Sequence, residues 1–286
     1  MELINMIKKT VTGGDWSVIY RKDGNANWKT AKCPAGKWCA APFVFSDGID
    51  DYIFVEQYLT EKDKGCIGYF QFVDGEPINK GIIIENAYHM SYPDVFEYQG
   101  CYYMIPESSA NDTVDLYVAD RFPDQWRKVK SLISNAKYVD STVYQDGDRH
   151  FLISYTMTDG YEVHVFSLDM KKMELAPLSY KRYGKNVARP GGRMFREDGK
   201  LYRPAQDCSR KYGEALIIYQ VDALNQDGQL VEHEVKRIEA DFFGLADKPE
   251  RIHQFTKIEN CEVYDVFKEK LDLLHGARIF LRSRRK

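Results

Sequence analysis

The sequence predicts an all-β fold, a five-bladed β-propeller of four-stranded antiparallel blades around a central channel. Two observations carry this. First, residues 89–120, HMSYPDVFEYQGCYYMIPESSANDTVDLYVAD, read as a nearly complete four-stranded unit. Aromatic-rich runs at 95–98 and 101–105 flank the turn pair Gln99-Gly100. A third run at 114–118 follows the polar break 108–112, and a fourth at 126–132 follows the turn signal Phe122-Pro123-Asp124. Second, the leading hairpin recurs. Segments starting at Pro42, Pro93, Ser141, Gly192 and His253 share a turn-prone start, an aromatic two or three residues on, a polar turn and a second aromatic-rich run. Their spacings of 51, 48, 51 and 61 residues are those of a propeller. A β-sandwich needs only regular turn spacing and does not predict the same strand order each time.

Taken in order, residues 16–20 (WSVIY) read as a strand that pairs with the final repeat and closes the ring, and 29–41 as a loop into the first repeat. The runs 51–57, 65–72 and 81–84 supply that repeat's later strands. The third repeat runs through 138–145, 151–157 and 162–168, with turns at Asp146-Gly147 and Asp159-Gly160. The fourth begins near Val187, turns at Asp198-Gly199 and continues through 215–221 and 232–238. Residues 242–250 form an insertion that lengthens the last spacing. After 263–267 the chain reads as helical or loose, with a basic tail over 268–286 containing Arg278, Arg282, Arg284, Arg285 and Lys286. The whole, 1–286, is expected to be one domain.

The totals narrow the function. With 20 Tyr and 15 Phe the chain has rings for sheet packing and for sugar stacking, and at net charge −3 it lacks the strong basicity of a general nucleic-acid binder. The N-terminal residues lack a signal-peptide apolar core, and no stretch reaches the roughly 18 apolar residues of a membrane span, so a cytoplasmic location is expected. The basic C-terminus allows a weak contact with the inner membrane face. Six cysteines without a C-x-x-C pair argue against both a zinc site and a disulfide framework. No metal ligand set and no cofactor is assigned. Phosphate-loop, H-E-x-x-H and G-x-S-x-G motifs are missing from the sequence.

In a propeller the innermost strands line the channel, so the repeat starts converge although they lie about fifty residues apart. Those starts carry Ala40-Ala41-Pro42, His89 and Tyr92, Asp140, Arg189 and Arg193, and Arg251 and His253; the ends of the second strands add Glu56, Glu107, Arg203 and Asp207. His89, Glu107, Asp140 and Asp207 are the candidates for acid, base and hydroxyl recognition. Arg189, Arg193 and Arg203 offer planar donor forks for a phosphate or carboxylate, and Tyr92 and His253 complete the substrate-binding set. The competing reading pairs the arginines with Glu107, Asp140 and Asp207 as a structural ring.

The five-fold plan resembles the fold of family 43 glycoside hydrolases. The words HMSYPDVFEYQGCYYMIPESS, YVDSTVYQDG and ARPGGRMFREDGKLYRPAQDCSRKYG are similar to a narrower group, the N-terminal propeller domain of glucosamine inositolphosphorylceramide transferases, over residues 16–265. That domain also occurs in bacterial proteins of surface-polysaccharide synthesis, and in plant-type relatives it is joined to a separate transferase domain. The hydrolase resemblance implies a base at the first repeat, a helper Asp at the third and a Glu acid at the fourth. Ala41, Asp140 and Pro190 stand at those positions here, and neither alanine nor proline transfers a proton, so the hydrolase mechanism is not expected.

Three functional readings remain. The leading one is a carbohydrate-active protein of surface-polysaccharide or glycolipid synthesis that performs or assists glycosyl transfer from a phosphate-activated sugar, alongside a biosynthetic partner enzyme. Its ligand is a sugar, nucleotide-sugar or phosphosugar. The second is a non-catalytic glycan-binding or scaffold module. The third is a glycoside hydrolase with relocated acid and base. Two carboxylates close together at an open pocket favour catalysis; arginines and aromatics without a carboxylate titrating near neutrality favour binding.

Overall fold

The computed structural model describes residues 12–156 and 160–271. Among the described residues twenty-one strands form five antiparallel sheets, one per blade. Blade 1 comprises β3 (Lys37–Ser46), β4 (Asp51–Leu59), β5 (Lys64–Val73) and β6 (Glu76–Ile84). Blade 2 comprises β7 (Ser91–Tyr98), β8 (Cys101–Ser108), β9 (Thr113–Arg121) and β10 (Gln125–Ser134). Blade 3 comprises β11 (Val139–Asp146), β12 (Arg149–Thr156), β13 (Tyr161–Asp169) and β14 (Glu174–Tyr183). In blade 4 the inner strand is broken into β15 (Arg189–Pro190) and β16 (Phe195–Glu197), followed by β17 (Lys200–Asp207), β18 (Ala215–Leu224) and β19 (Leu230–Glu239).

Blade 5 joins the two ends of the chain. Its inner strands are β20 (Arg251–Ile258) and β21 (Cys261–Leu271), and β1 (Thr12–Lys22) pairs along β21 with Trp16 opposite Phe267 and Tyr20 opposite Val263. The two-residue β2 (Lys29–Thr30) completes the sheet. The expected closing strand is therefore present.

Five apolar clusters sit between successive blades and seal the ring. Val18, Tyr20 and Val263 of blade 5 pack with Val44, Ile53 and Phe70 of blade 1. Phe43 and Phe54 meet Tyr92, Val95 and Met104; Ile105 and Leu116 meet Val143 and Leu152; Ile153 and Val165 meet Leu201 and Val221; Leu216 and Ile218 meet Ile252 and Val266. β-Branched and aromatic side chains suit both faces of a buried sheet, and each fully buried one, such as Phe54, contributes about 1.5–3 kcal/mol. These apolar layers hold successive blades together, and Glu56, Asp94, Asp140 and Asp265 are among the buried polar residues.

Four expectations need correction. Residues 37–41 are strand, not loop, and Lys29–Thr30 is a short strand. Lys268 continues β21, which runs to Leu271, because pairing with β1 holds it extended; the rest of the expected basic tail lies outside the described residues, as do Met157 and Asp159. Blade 3 has an outer strand, β14, that its sequence did not announce. Finally, Cys33 and Cys39 form a disulfide with Cα atoms 6.0 Å apart. The turn from Pro34 to Lys37, with Gly36 at φ 74°, folds the chain back on itself and brings the two together.

Candidate functional site

Each inner strand interrupts its pairing at the same height. Blades 1, 2, 3 and 5 have a bulge, with Ala41-Pro42, Tyr92-Pro93, Asp140-Ser141 and His253-Gln254 as the extra pairs. Ala41, Tyr92 and Asp140 take positive φ of 48°, 47° and 51°, a strained conformation for such residues. Bulges re-aim side chains, and here they turn one residue per blade toward the axis. Pro190 follows Arg189 at the matching place in blade 4. There the chain continues through Gly192 at φ 131°, where a Cβ would sit 1.8 Å from the Phe255 carbonyl oxygen, so only glycine fits.

Cross-blade hydrogen bonds hold these bulges. Asp265, on β21 opposite the blade 5 bulge, accepts from the Ala41, His253 and Gln254 amides at 2.8, 3.2 and 3.0 Å and bonds His253 Nδ1 at 2.7 Å. Tyr92 is buried and crosses the channel: its hydroxyl meets Thr142 Oγ1 at 2.7 Å and accepts the Gly192 amide at 2.9 Å. His253 stacks on Trp16 with ring centroids 4.1 Å apart, so the closing strand also builds the channel wall.

The residue opposite the one before each bulge points to the same mouth. In blades 1 to 4 these are Glu56, Glu107, Tyr155 and Gln206. Around them lies a compact charged cluster. Arg189 donates from Nε to Asp140 Oδ2 and from Nη2 to Asp140 Oδ1 at 3.3 Å, and reaches Glu107 Oε2 at 3.5 Å. Gln206 Nε2 donates to the same Asp140 Oδ2 at 2.7 Å, and the Asp140 amide donates to Glu107 Oε2 at 3.3 Å. Ser109 Oγ donates to Glu107 Oε1 at 2.8 Å. Arg189 and Glu107 keep 16% and 11% of their side-chain surface exposed, so the cluster meets solvent. Burial, and then the charge of Asp140, push Glu107 up to about 8 against the pull of Arg189.

Two aromatic groups stand at this mouth. Tyr212, in the loop after β17, lies under the Arg189 guanidinium at 5.4 Å and 5.2 Å from the His253 ring, and is 41% exposed. His89 is fixed by its backbone neighbour: Nδ1 accepts the Gly65 amide at 2.9 Å, which places the ring proton on Nε2. Burial lowers its pKa. His89 in this tautomer is a hydrogen-bond donor, and the lone pair a base needs is already taken.

The other candidates lie elsewhere. Arg193 is farther down the channel, donating to Asp94 Oδ1 at 2.7 Å and to the carbonyls of Val95 at 2.6 Å and Val44 at 3.3 Å. Arg203 was expected in the funnel and is instead buried within blade 4 against Glu232. Asp207 faces a separate groove of about 650 Å³ with Arg210, Glu214 and Arg237, bonded to Arg237 Nη1 at 2.6 Å. Burial would raise Asp207, but the Ser209 hydrogen bonds and Arg237 outweigh it and hold it low. The structure thus unites His89, Tyr92, Glu107, Asp140, Arg189 and His253 around the channel, and separates Arg203 and Asp207 from it. Gln206, Tyr212, Asp265 and Trp16 were not foreseen. A register count from Glu107 would have found Gln206; Trp16 gave no signal beyond its strand. Among the described residues no group of three metal-ligating side chains is placed to hold an ion.

The family described as glucosamine inositolphosphorylceramide transferase 1, N-terminal, matches residues 16–248 of this sequence. The chain belongs to that family. It is 32% identical over 198 residues to glucosamine inositolphosphorylceramide transferase 1 of Oryza sativa subsp. indica, covering 66% of this chain and 27% of the relative. The Arabidopsis thaliana protein of the same name is 30% identical over 227 residues, covering 75% and 29%. The chain therefore spans less than a third of the length of these relatives. Among solved structures, the propeller is similar to exo-beta-1,3-galactanase from Phanerochaete chrysosporium (TM-score 0.62, 14% identity, 88% of this chain and 64% of that one). It is equally similar to a thermostable family-43 glycoside hydrolase (TM-score 0.62, 13% identity, 85% and 92%). These likenesses establish the fold.

Proposed function

We propose that this member of the glucosamine inositolphosphorylceramide transferase N-terminal family acts in glycosyl transfer for glycolipid or surface-polysaccharide synthesis, with a sugar seated at the channel mouth. The observation that supports this is the Glu107–Asp140 carboxylate pair sharing Arg189 at a solvent-facing site. Glu107, pushed up to about 8, holds a proton at neutral pH; it protonates the departing phosphate oxygen of the donor as the anomeric C–O bond breaks, and the carboxylate left behind takes the proton of the acceptor hydroxyl as the new C–O bond forms. Asp140, kept next to the guanidinium, supplies negative charge toward the oxocarbenium-like centre that forms as the glycosidic bond breaks. The relatives' name supports a phosphate-bearing glycolipid as the acceptor class and an activated sugar as donor. Arg189 is the cation nearest the mouth for that phosphate.

A second reading is favoured by a specific observation: Ala41 stands in the bulge of blade 1 and Pro190 at the matching place in blade 4, and neither side chain can transfer a proton. On that reading the propeller holds a glycan without altering it. The deciding experiment screens the purified protein by thermal shift against nucleotide-sugars, sugar phosphates and neutral oligosaccharides, then assays transfer from any donor that binds. At a hundredfold excess over Kd a ligand adds about 2.7 kcal/mol of stability. Transfer from a nucleotide-sugar, reduced at least a hundredfold in Glu107→Gln with ligand stabilisation retained, is the expected result. Stabilisation by free glycan alone, unchanged in Glu107→Gln, selects the binding module.

A further inference from the structure

The Arg189 cluster leaves one channel carboxyl aside. Glu56 holds in blade 1 the register position that Glu107 holds in blade 2, opposite Ala40 as Glu107 is opposite Ser91. Its side chain is 7% exposed, and Oε1 is buried without a hydrogen-bond partner. The titratable groups around it are Glu107 on β8, Asp140 on β11, Asp265 on β21 and Tyr212 in the loop after β17, all acids, together with His89 before β7. His89 Nε2 lies 3.4 Å from Glu56 Oε1, and the Gly65 amide on Nδ1 makes it an uncharged N–H donor. No compensating cation faces this carboxyl among these neighbours, so the charged form is disfavoured. Burial and then Glu107 raise its pKa well above the ordinary value.

Gly65 shows how closely this corner is built. A Cβ there would lie 2.4 Å from the Met90 carbonyl oxygen, 2.6 Å from Glu56 Oε1 and 2.9 Å from His89 Cε1. The chain has left just enough room for the carboxyl and the imidazole to stand side by side. An unpaired acid and an uncharged N–H donor at a solvent-facing mouth are the groups a sugar hydroxyl pair satisfies, one accepting from Nε2–H and one bridging the acid.

We infer that Glu56 and His89 form a subsite for an uncharged sugar ring on the blade 1 and blade 2 side of the channel mouth, distinct from the charged Arg189 side. This rests on the carbohydrate reading proposed above and adds the ligand class: the ring held here is neutral, because no cation among these neighbours is placed to pair a uronate or a phosphate. Tyr212 supplies an exposed ring at the same mouth for stacking.

The test uses methyl β-N-acetylglucosaminide, methyl glucoside, glucuronic acid and inorganic phosphate as probes, by calorimetry across a pH series. It is run in a Glu107→Gln background so that the other titrating acid is removed. At least one neutral glycoside binds, and the series shows its affinity falling at least fivefold as Glu56 loses its proton. Adding Glu56→Gln, which keeps a neutral donor and acceptor, retains binding and removes the pH dependence; Glu56→Ala and His89→Ala each weaken it tenfold or more. Infrared difference spectra across the Glu56 titration show a protonated carboxyl band that Glu56→Gln deletes. The inference is overturned by loss of binding in Glu56→Gln, by tighter binding of glucuronic acid, by indifference to Glu56→Ala, by failure of both glycosides, or by no band assignable to Glu56. Glu56-dependent sugar binding without transfer from any donor by the native protein leaves this subsite standing and removes the transferase reading. Transfer without Glu56-dependent binding does the reverse.

Discussion

Two arginines 14 positions apart in the sequence meet opposite fates. Arg203 faces one carboxylate, Glu232, through bonds of 2.8 and 2.6 Å, and a third donor takes the Ala188 carbonyl at 3.0 Å. Tyr183 donates its hydroxyl to the same Glu232. Arg203 and Glu232 are 2% and 0% exposed, and with Lys181 also 3.9 Å from Glu232 no negative charge is left over. Arg189 faces two carboxylates with one positive charge, at a site that water reaches. Burial and the charge of Asp140 push Glu107 up to about 8, so this site favours taking up a proton. The same residue types therefore make a closed strut in one place and a titrating group in the other, and the count of charges decides which.

Breaking the strut has the largest effect. Arg203→Ala leaves the buried Glu232 with only the Tyr183 hydroxyl and Lys181 at 3.9 Å, and urea denaturation is expected to show a loss of about 3–5 kcal/mol. The double variant Arg203→Met, Glu232→Leu recovers most of it, because an apolar pair needs no charge compensation. Arg189→Met costs less, about 1–3 kcal/mol, because the carboxylates it leaves behind can share a proton and reach water. Equal losses at the two arginines would sink the distinction.

The second effect is on pH dependence. Glu107 binds its proton more tightly in the folded state than at its ordinary value of 4.5, so the folded state gains relative stability at low pH and loses it as pH rises toward about 8. Melting temperatures between pH 5 and pH 9 are expected to fall more steeply in the native protein than in Glu107→Gln. Glu56 is raised too and keeps part of the slope, so the double variant with Glu56→Gln is flatter still. A slope unchanged in Glu107→Gln would mean that the uneven charge count is not what titrates.

The sequence carried the ring more fully than the site. Aromatic hairpins such as 93–107 and 141–155 repeat because every blade buries both faces, and the β-branched run at 16–20 signalled the strand that closes it. Blade 3's outer strand ELAPLSYKRY is half exposed and holds Pro177, so no apolar alternation marks it. The site failed at side-chain direction. Gln206 is the blade 4 counterpart of Glu107, and Arg203 and Asp207 lie three and one residues from it, both odd offsets that turn them to the other face of the strand. Reading every second-strand end as channel-facing ignored that alternation. Asp265 escaped notice for a related reason: it sits opposite a bulge, and bulges are not visible in composition.

The smallest effect tests whether the outer groove is separate from the mouth. Asp207 bonds Arg237 at 2.6 Å, but Arg237 also reaches Glu214 at 3.4 Å and Glu239 at 3.4 Å, so removing one carboxylate leaves the guanidinium with partners. Asp207 and Glu214 also repel each other, which offsets part of the lost attraction. Asp207→Asn is therefore expected to change stability by no more than about 1 kcal/mol. Since Asp207 points to the face of β17 away from Gln206, the affinity of any sugar held at the channel mouth stays within twofold of the native value. Calorimetry of a neutral glycoside against both proteins measures this directly. A tenfold loss would join the groove to the mouth as one extended site, and the contrast between a balanced strut and an unbalanced cluster would then have to include Arg237 as a third member.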